Sequence, residues 1–168
     1  MDLKREAHQW VLAGQQLQSD VGALPVRISI TAAGAIPYYS RLVTIDEHGL
    51  NDPWVARHGI VWGEKTAHQR RAPLEYLEQR GVNLLIDPWM IVPIGQSVDA
   101  WGVYARRIVR EYCSLSRQPL PERVIFLTIP VYGLGQALAV WYLTPSPGVD
   151  EIVQSGRWER HDILVTTR

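Results

Sequence analysis

The chain has 168 residues, 19.1 kDa and 17 basic against 17 acidic side chains, so its formal charge is zero. A chain of this length buries roughly two-thirds of the surface its unfolded form exposes, and fits one domain. Neutrality excludes a global field that would recruit nucleic acid or an anionic membrane, and the single cysteine, Cys113, excludes an intrachain disulfide and any multi-cysteine metal site.

Ala7, Trp10, Val11, Gly14, Leu17 and Val21 recur at steps of three and four, which predicts an amphipathic helix ending near Gly22. Val26 to Thr31 (VRISIT) alternates apolar and polar residues as a strand does, then breaks into a loop at Gly34 and Pro37. A second strand, Leu42 to Ile45, runs into Asp46, Glu47 and His48. Gly49 can take a positive φ there, Asn51 or Asp52 supplies an N-cap, and Pro53 stands in the first turn of a helix. Pro73 opens a short helix through Leu74 and Leu77 that stops at Gly81, with a strand at Val82 to Ile86 behind it.

Ser97 caps a longer helix in which Val98, Trp101, Ala105, Ile108 and Tyr112 mark one face, and Cys113 is a small buried side chain within it. The pairs Arg70 with Arg71 and Arg106 with Arg107 read as solvated helix faces. Val124 to Val149 carries no charge and is long enough to cross a bilayer. Pro130, Gly133, Gly135, Gln136, Pro145 and Pro147 interrupt it, so VIFLTIPV and ALAVWYL are two buried strands joined by a Gly-rich turn. A final strand is expected at Asp162 to Thr166. The sum is a single layered α/β domain over residues 1–168, with a mixed sheet, helices packed on it and a C-terminal β-hairpin. GxGxxG is absent and the only GxG falls in the hairpin turn, which argues against a dinucleotide site; no cofactor is expected.

Candidate chemistry gathers where the first two strands end. Asp46, Glu47, His48, Asn51 and Asp52 could face a cation, yet no HExxH occurs, and Asx hydrogen bonds with a helix cap account for the same residues. Asp46 with Glu64 could act as acid and base on a glycoside, and Ser40, His48 and Asp52 could form a triad, although no GxSxG elbow supports it. Tyr38, Tyr39 and Trp54 suit binding better: an aromatic ring stacks on a sugar face while Asp46, His48, Asn51 and Asp52 meet its hydroxyls. The same rings could instead only pack the strand-to-helix corner. The expected ligand-binding set is therefore Tyr38, Tyr39, Asp46, His48, Asn51, Asp52 and Trp54, with no catalytic and no metal-ligating residue.

The string AGxIPYYS, a short strand ending in Asp, then GLxD and an apolar-Ala pair is carried here by Ala33, Gly34, Ile36, Pro37, Tyr38, Tyr39, Ser40, Asp46, Gly49, Leu50, Asp52 and Ala56. A looser match continues through the His68 region and the strand at Val82 to Ile86. The pattern resembles the soluble extracytoplasmic segment that follows the membrane-spanning helices in some bacterial GT-C-type, arabinofuranosyltransferase-like glycosyltransferases. The resemblance implies a non-catalytic accessory domain on the extracytoplasmic face of the cytoplasmic membrane. There it would position a glycan or polyprenyl-linked sugar, with the membrane-spanning part of the same polypeptide as partner. The catalytic acidic residue of such enzymes lies in that membrane part. The chain opens without a signal-peptide pattern, which suits a segment excised from a longer protein; if complete as given, it would be cytoplasmic. The alternatives are a free-standing soluble hydrolase and an oligomerisation module that pairs weakly as a homodimer through a hairpin edge.

Overall fold

A computed structural model describes residues 3–64, 69–87 and 91–166. His68, in the looser part of the motif match, lies outside them. The chain runs α1 (Leu3–Val21), β1 (Arg27–Ile30), α2 (Ala35–Ser40), β2 (Val43–Asp46), α3 (Pro53–His58), β3 (Ile60–Val61), β4 (Arg70–Arg71) and α4 (Leu74–Gln79). It continues through β5 (Leu84–Ile86), β6 (Ile91–Pro93), α5 (Val98–Leu115), β7 (Arg123–Val131), β8 (Gln136–Tyr142), α6 (Pro147–Gln154) and β9 (Glu159–Leu164).

Seven strands form one mixed sheet in the order β2-β1-β5-β8-β7-β9, with β6 also on β8, while β3 and β4 pair separately. β1 is parallel to β2 and to β5; β8 runs antiparallel to β5, β6 and β7, and β7 to β9. β5 and β6 share one side of β8. Leu84 and Leu85 face Tyr142 and Trp141, and Ile91 to Pro93 face Leu138 to Gln136. Asp87 stands where this row is interrupted.

The period of two in each strand sends alternate residues to two cores. Ile28, Ile30, Leu84, Ile86, Leu127, Ile129, Leu138 and Val140 pack with α1, α2 and α6. Ile45, Leu85, Phe126, Ala139 and Trp141 pack with α3, α4 and α5 on the other face. The result is a three-layer sandwich in which the connection from β1 to β2 covers one face and that from β2 to β5 covers the other. The crevice between the carboxyl ends of β1 and β5 is thus a topological switch point.

Several elements depart from the sequence reading. The PYYS stretch is helical rather than a loop: Pro37 is the third residue of α2, inside the first turn, where no backbone N–H is needed. A Cβ on Gly14 would stand 2.9 Å from the Ile36 carbonyl oxygen and 2.9 Å from Tyr39 Cβ, so glycine lets α1 and α2 touch backbone to backbone. Arg70 and Arg71 lie in β4, not on a helix, and Arg71 is buried. α6 was not expected; Pro147 occupies its first turn rather than merely breaking a strand. β9 starts at Glu159, three residues before the expected strand, because an edge strand tolerates the charged run ERHD that hides its pattern. No helix among the described residues is long and apolar enough to cross a membrane.

Candidate functional site

The β2–α3 turn is built as its residue types suggest. The Asp46 carboxylate accepts from the His48 amide at 3.0 Å and the Asn51 amide at 2.8 Å, while Gly49 turns the chain at φ 76°. Asp52 caps α3 by accepting from the amides of Trp54 at 2.9 Å and Val55 at 3.0 Å, and it also accepts from the Tyr76 hydroxyl at 3.0 Å. His48 Nδ1 lies 3.0 Å from the Arg70 carbonyl oxygen. The Trp54 ring stacks on Tyr76 at 3.9 Å and 4°.

Five of the seven expected binding residues, Asp46, His48, Asn51, Asp52 and Trp54, are therefore together. Tyr38 and Tyr39 are not with them. They sit on α2 across the sheet, edge to face at 5.0 Å, beside Gln15, Gln18 and Arg41. Ser40 is buried on α2, where its hydroxyl donates to the Pro37 carbonyl at 3.4 Å, and Glu64 is exposed. Both Asp46 oxygens accept from backbone amides, and the Asp52 carboxylate accepts from backbone amides and Tyr76, so these two side chains hold the β2–α3 turn in place.

Beside the turn lies a charge cluster whose burial no local sequence pattern indicates. Glu47 is fully buried. Its amide donates to the Ile30 carbonyl at 3.1 Å, and its carbonyl accepts from the Ala72 amide at 2.9 Å, so its position is fixed between β1 and the end of β4. Arg71 Nε stands 3.3 Å from its carboxylate, and the Tyr112 hydroxyl donates to the same oxygen. Arg71 Nη2 donates to Tyr112 at 2.8 Å, the guanidinium lies over the Tyr112 ring at 4.7 Å, and Nη1 reaches Glu111 at 3.8 Å. Burial pushes the Glu47 carboxyl up to about 7 against the opposing pull of Arg71 and, more weakly, Ser29; Asp87 and Asp46 push it further up.

Both Asp87 and Glu111 also line a cavity of about 520 Å³ between the β5–β6 break and α5. Its floor and walls include Ile91, Val92, Trp101 and Ile108, and its polar groups come from Gln96, Tyr104 and Arg107. Trp101 is buried, stands edge-on to His161 at 5.2 Å, and its indole N–H has no hydrogen-bond partner among the described residues. Tyr104 is largely exposed at the mouth. Concave shape, aromatic surface and a few convergent polar groups at the strand ends make this the site best suited to a small ligand. Sequence reading placed Trp101 on the buried face of α5 but missed the cavity. The one available signal was Asp87, a carboxylate directly after the apolar strand VNLLI.

A family model described as a domain of unknown function (DUF8728) matches residues 3–118, a stretch that contains the β2–α3 turn, the Glu47 cluster and the whole cavity lining. No curated protein and no solved structure matches the chain.

Proposed function

The chain belongs to the DUF8728 family, and for it we propose a non-catalytic role as a binding domain that holds a glycan or polyprenyl-linked sugar in the α5 cavity. The observation that carries this reading is the cavity itself. About 520 Å³ accommodates a sugar unit or two, with Trp101 and Tyr104 for ring contact and Asp87, Gln96 and Glu111 for hydroxyls. The resemblance to the extracytoplasmic segment of arabinofuranosyltransferase-like proteins supports the sugar class. It also supports a setting outside the cytoplasmic membrane, as part of a longer membrane protein that contributes the spanning helices.

Hydrolysis has less support. Among the described residues, the carboxyl pushed toward neutral pH is that of Glu47, which is fully buried against Arg71 and Tyr112, whereas a general acid must reach the atom it protonates. Calorimetric titration with a panel of pentoses, hexoses and short oligosaccharides tests the proposal. Binding weakened about tenfold by Tyr104→Ala, with the melting temperature preserved, is expected for a stacked ring. Binding by no member of the panel, or binding indifferent to both Tyr104→Ala and Gln96→Ala, would refute it.

A further inference from the structure

We propose that the groove between α1 and α2 is a second binding site, shaped for a sugar that carries a carboxylate. α1 and α2 pack on one face of the sheet and α5 on the other, so this site stands independently of the α5 cavity. Gln15 and Gln18 from α1, with Tyr38, Tyr39 and Arg41 from the end of α2, line an open space of about 640 Å³. The backbone contact of the two helices over Gly14 makes their shared surface a fixed one.

Arg41 singles this groove out. It closes α2 at φ 55° and ψ 17°, the left-handed region in which glycine or asparagine ordinarily ends a helix. Bonds on both sides hold it there. Its amide donates to the Pro37 carbonyl at 3.1 Å, and the Leu42 amide donates to the Ser40 hydroxyl at 3.4 Å. Glycine would meet the same geometry without strain, so an arginine kept at this position points to a use for its side chain. Arg41 is exposed in the groove, and among the described residues its guanidinium makes no hydrogen bond or ion pair.

The lining sets the ligand class. Its five residues hold one charge, that of Arg41, and no carboxylate. Asp20, near the end of α1, is taken by Gln16 at 3.0 Å, by the Trp158 indole at 2.8 Å and by Arg157 at 3.8 Å. One guanidinium fork matches one carboxylate through two parallel hydrogen bonds, whereas a phosphate monoester brings about −1.5 to −2 charge and calls for a second cation. The Tyr38 ring is 76% exposed and braced edge to face by Tyr39 at 5.0 Å, a platform for the apolar face of a pyranose. The amides of Gln15 and Gln18 supply donors and acceptors for its hydroxyls. An acidic peptide gains less here, because helix surfaces present no strand edge for its backbone to join. A uronic acid unit meets the whole lining.

Amide chemical shifts followed by NMR at about pH 7, where a sugar carboxylate is ionised, read the groove and the α5 cavity separately. Glucuronate should move the Gln15, Tyr38 and Arg41 amides at concentrations at least about fivefold lower than glucose does. Arg41→Gln and Tyr38→Ala should each weaken glucuronate at least about threefold with the melting temperature preserved. Arg57→Gln, at an exposed arginine of α3 on the other face of the sheet, should change nothing. Equal affinity for glucuronate and glucose overturns the inference. So does tighter binding of inorganic phosphate or of tetraglutamate at these amides, or a loss with Arg57→Gln as large as with Arg41→Gln. Shifts confined to α5 remove the second site and leave the role of the cavity standing; shifts in the groove with none at α5 do the reverse.

Discussion

Glu47 offers a quantitative test because its protonation is tied to burial rather than to solvent. In the unfolded chain its carboxyl ionises near 4.5, and in the folded protein near about 7. Between those values the folded state holds a proton that the unfolded state has released, so unfolding is favoured progressively as pH rises. The interval of about 2.5 pH units corresponds to roughly 3 kcal/mol of stability that is present below pH 4.5 and lost as the pH rises through about 7, levelling off above it. Glu47→Gln removes this titration while keeping a side chain of the same shape. Urea unfolding of both proteins across this pH range should therefore show the stability difference moving in favour of the variant by roughly 3 kcal/mol, and then levelling off. For a domain of this size that is a relative shift in melting temperature of about 6–12 °C. A difference that stays constant with pH would refute the assignment. A difference that moves the other way would mean that attraction to Arg71 outweighs desolvation.

Three further outcomes follow from the geometry. Gly49→Val should cost at least about 2 kcal/mol in chemical denaturation, because φ is 76° and a Cβ would sit 2.5 Å from the Ala56 amide nitrogen; a variant as stable as the parent would show that the turn can rearrange. Asp52→Ala should cost about 2 kcal/mol by removing the α3 cap and stranding the Tyr76 hydroxyl, and adding Tyr76→Phe should cost little more, whereas fully additive losses would exclude a shared interaction. Trp101→Phe should cost about 1–2 kcal/mol in chemical denaturation, because the ring is buried in the core and the smaller side chain leaves a void, while the N–H it deletes has no partner among the described residues; a variant as stable as the parent would show that the core closes over the void.

The parts of the fold legible in sequence were those specified by local chemistry. α1 and α5 announce themselves by apolar spacing, Asp52 and Ser97 by cap chemistry, Gly49 by its place after a strand, and β7 and β8 by uninterrupted apolar runs around Gly133 and Gly135. What escaped was decided by tertiary contact. Glu47 and Arg71 look like solvent-facing residues because charge ordinarily means exposure, and only their mutual pairing under Tyr112 permits burial. Tyr38 and Tyr39 lie within sixteen residues of Trp54, yet the sheet stands between their helices, a separation set by crossover direction rather than by distance along the chain. The α5 cavity joins Asp87 to residues a full helix away, and no local pattern encodes that meeting.

The shared row of β5 and β6 along β8 has a bearing on how the protein is made. The residues matched by the family model end at 118, before β8 begins at Gln136. On the ribosome, the part that carries the turn, the charge cluster and the cavity emerges first, with the β5 and β6 backbone edge unpaired and Leu84, Leu85 and Val92 lacking their neighbours from β8. That edge is closed only when a strand made later arrives antiparallel to both, after the chain has passed Tyr142. The nascent segment is thus open to strand pairing with other chains during this delay, and the order of synthesis makes β8 the step on which productive folding turns.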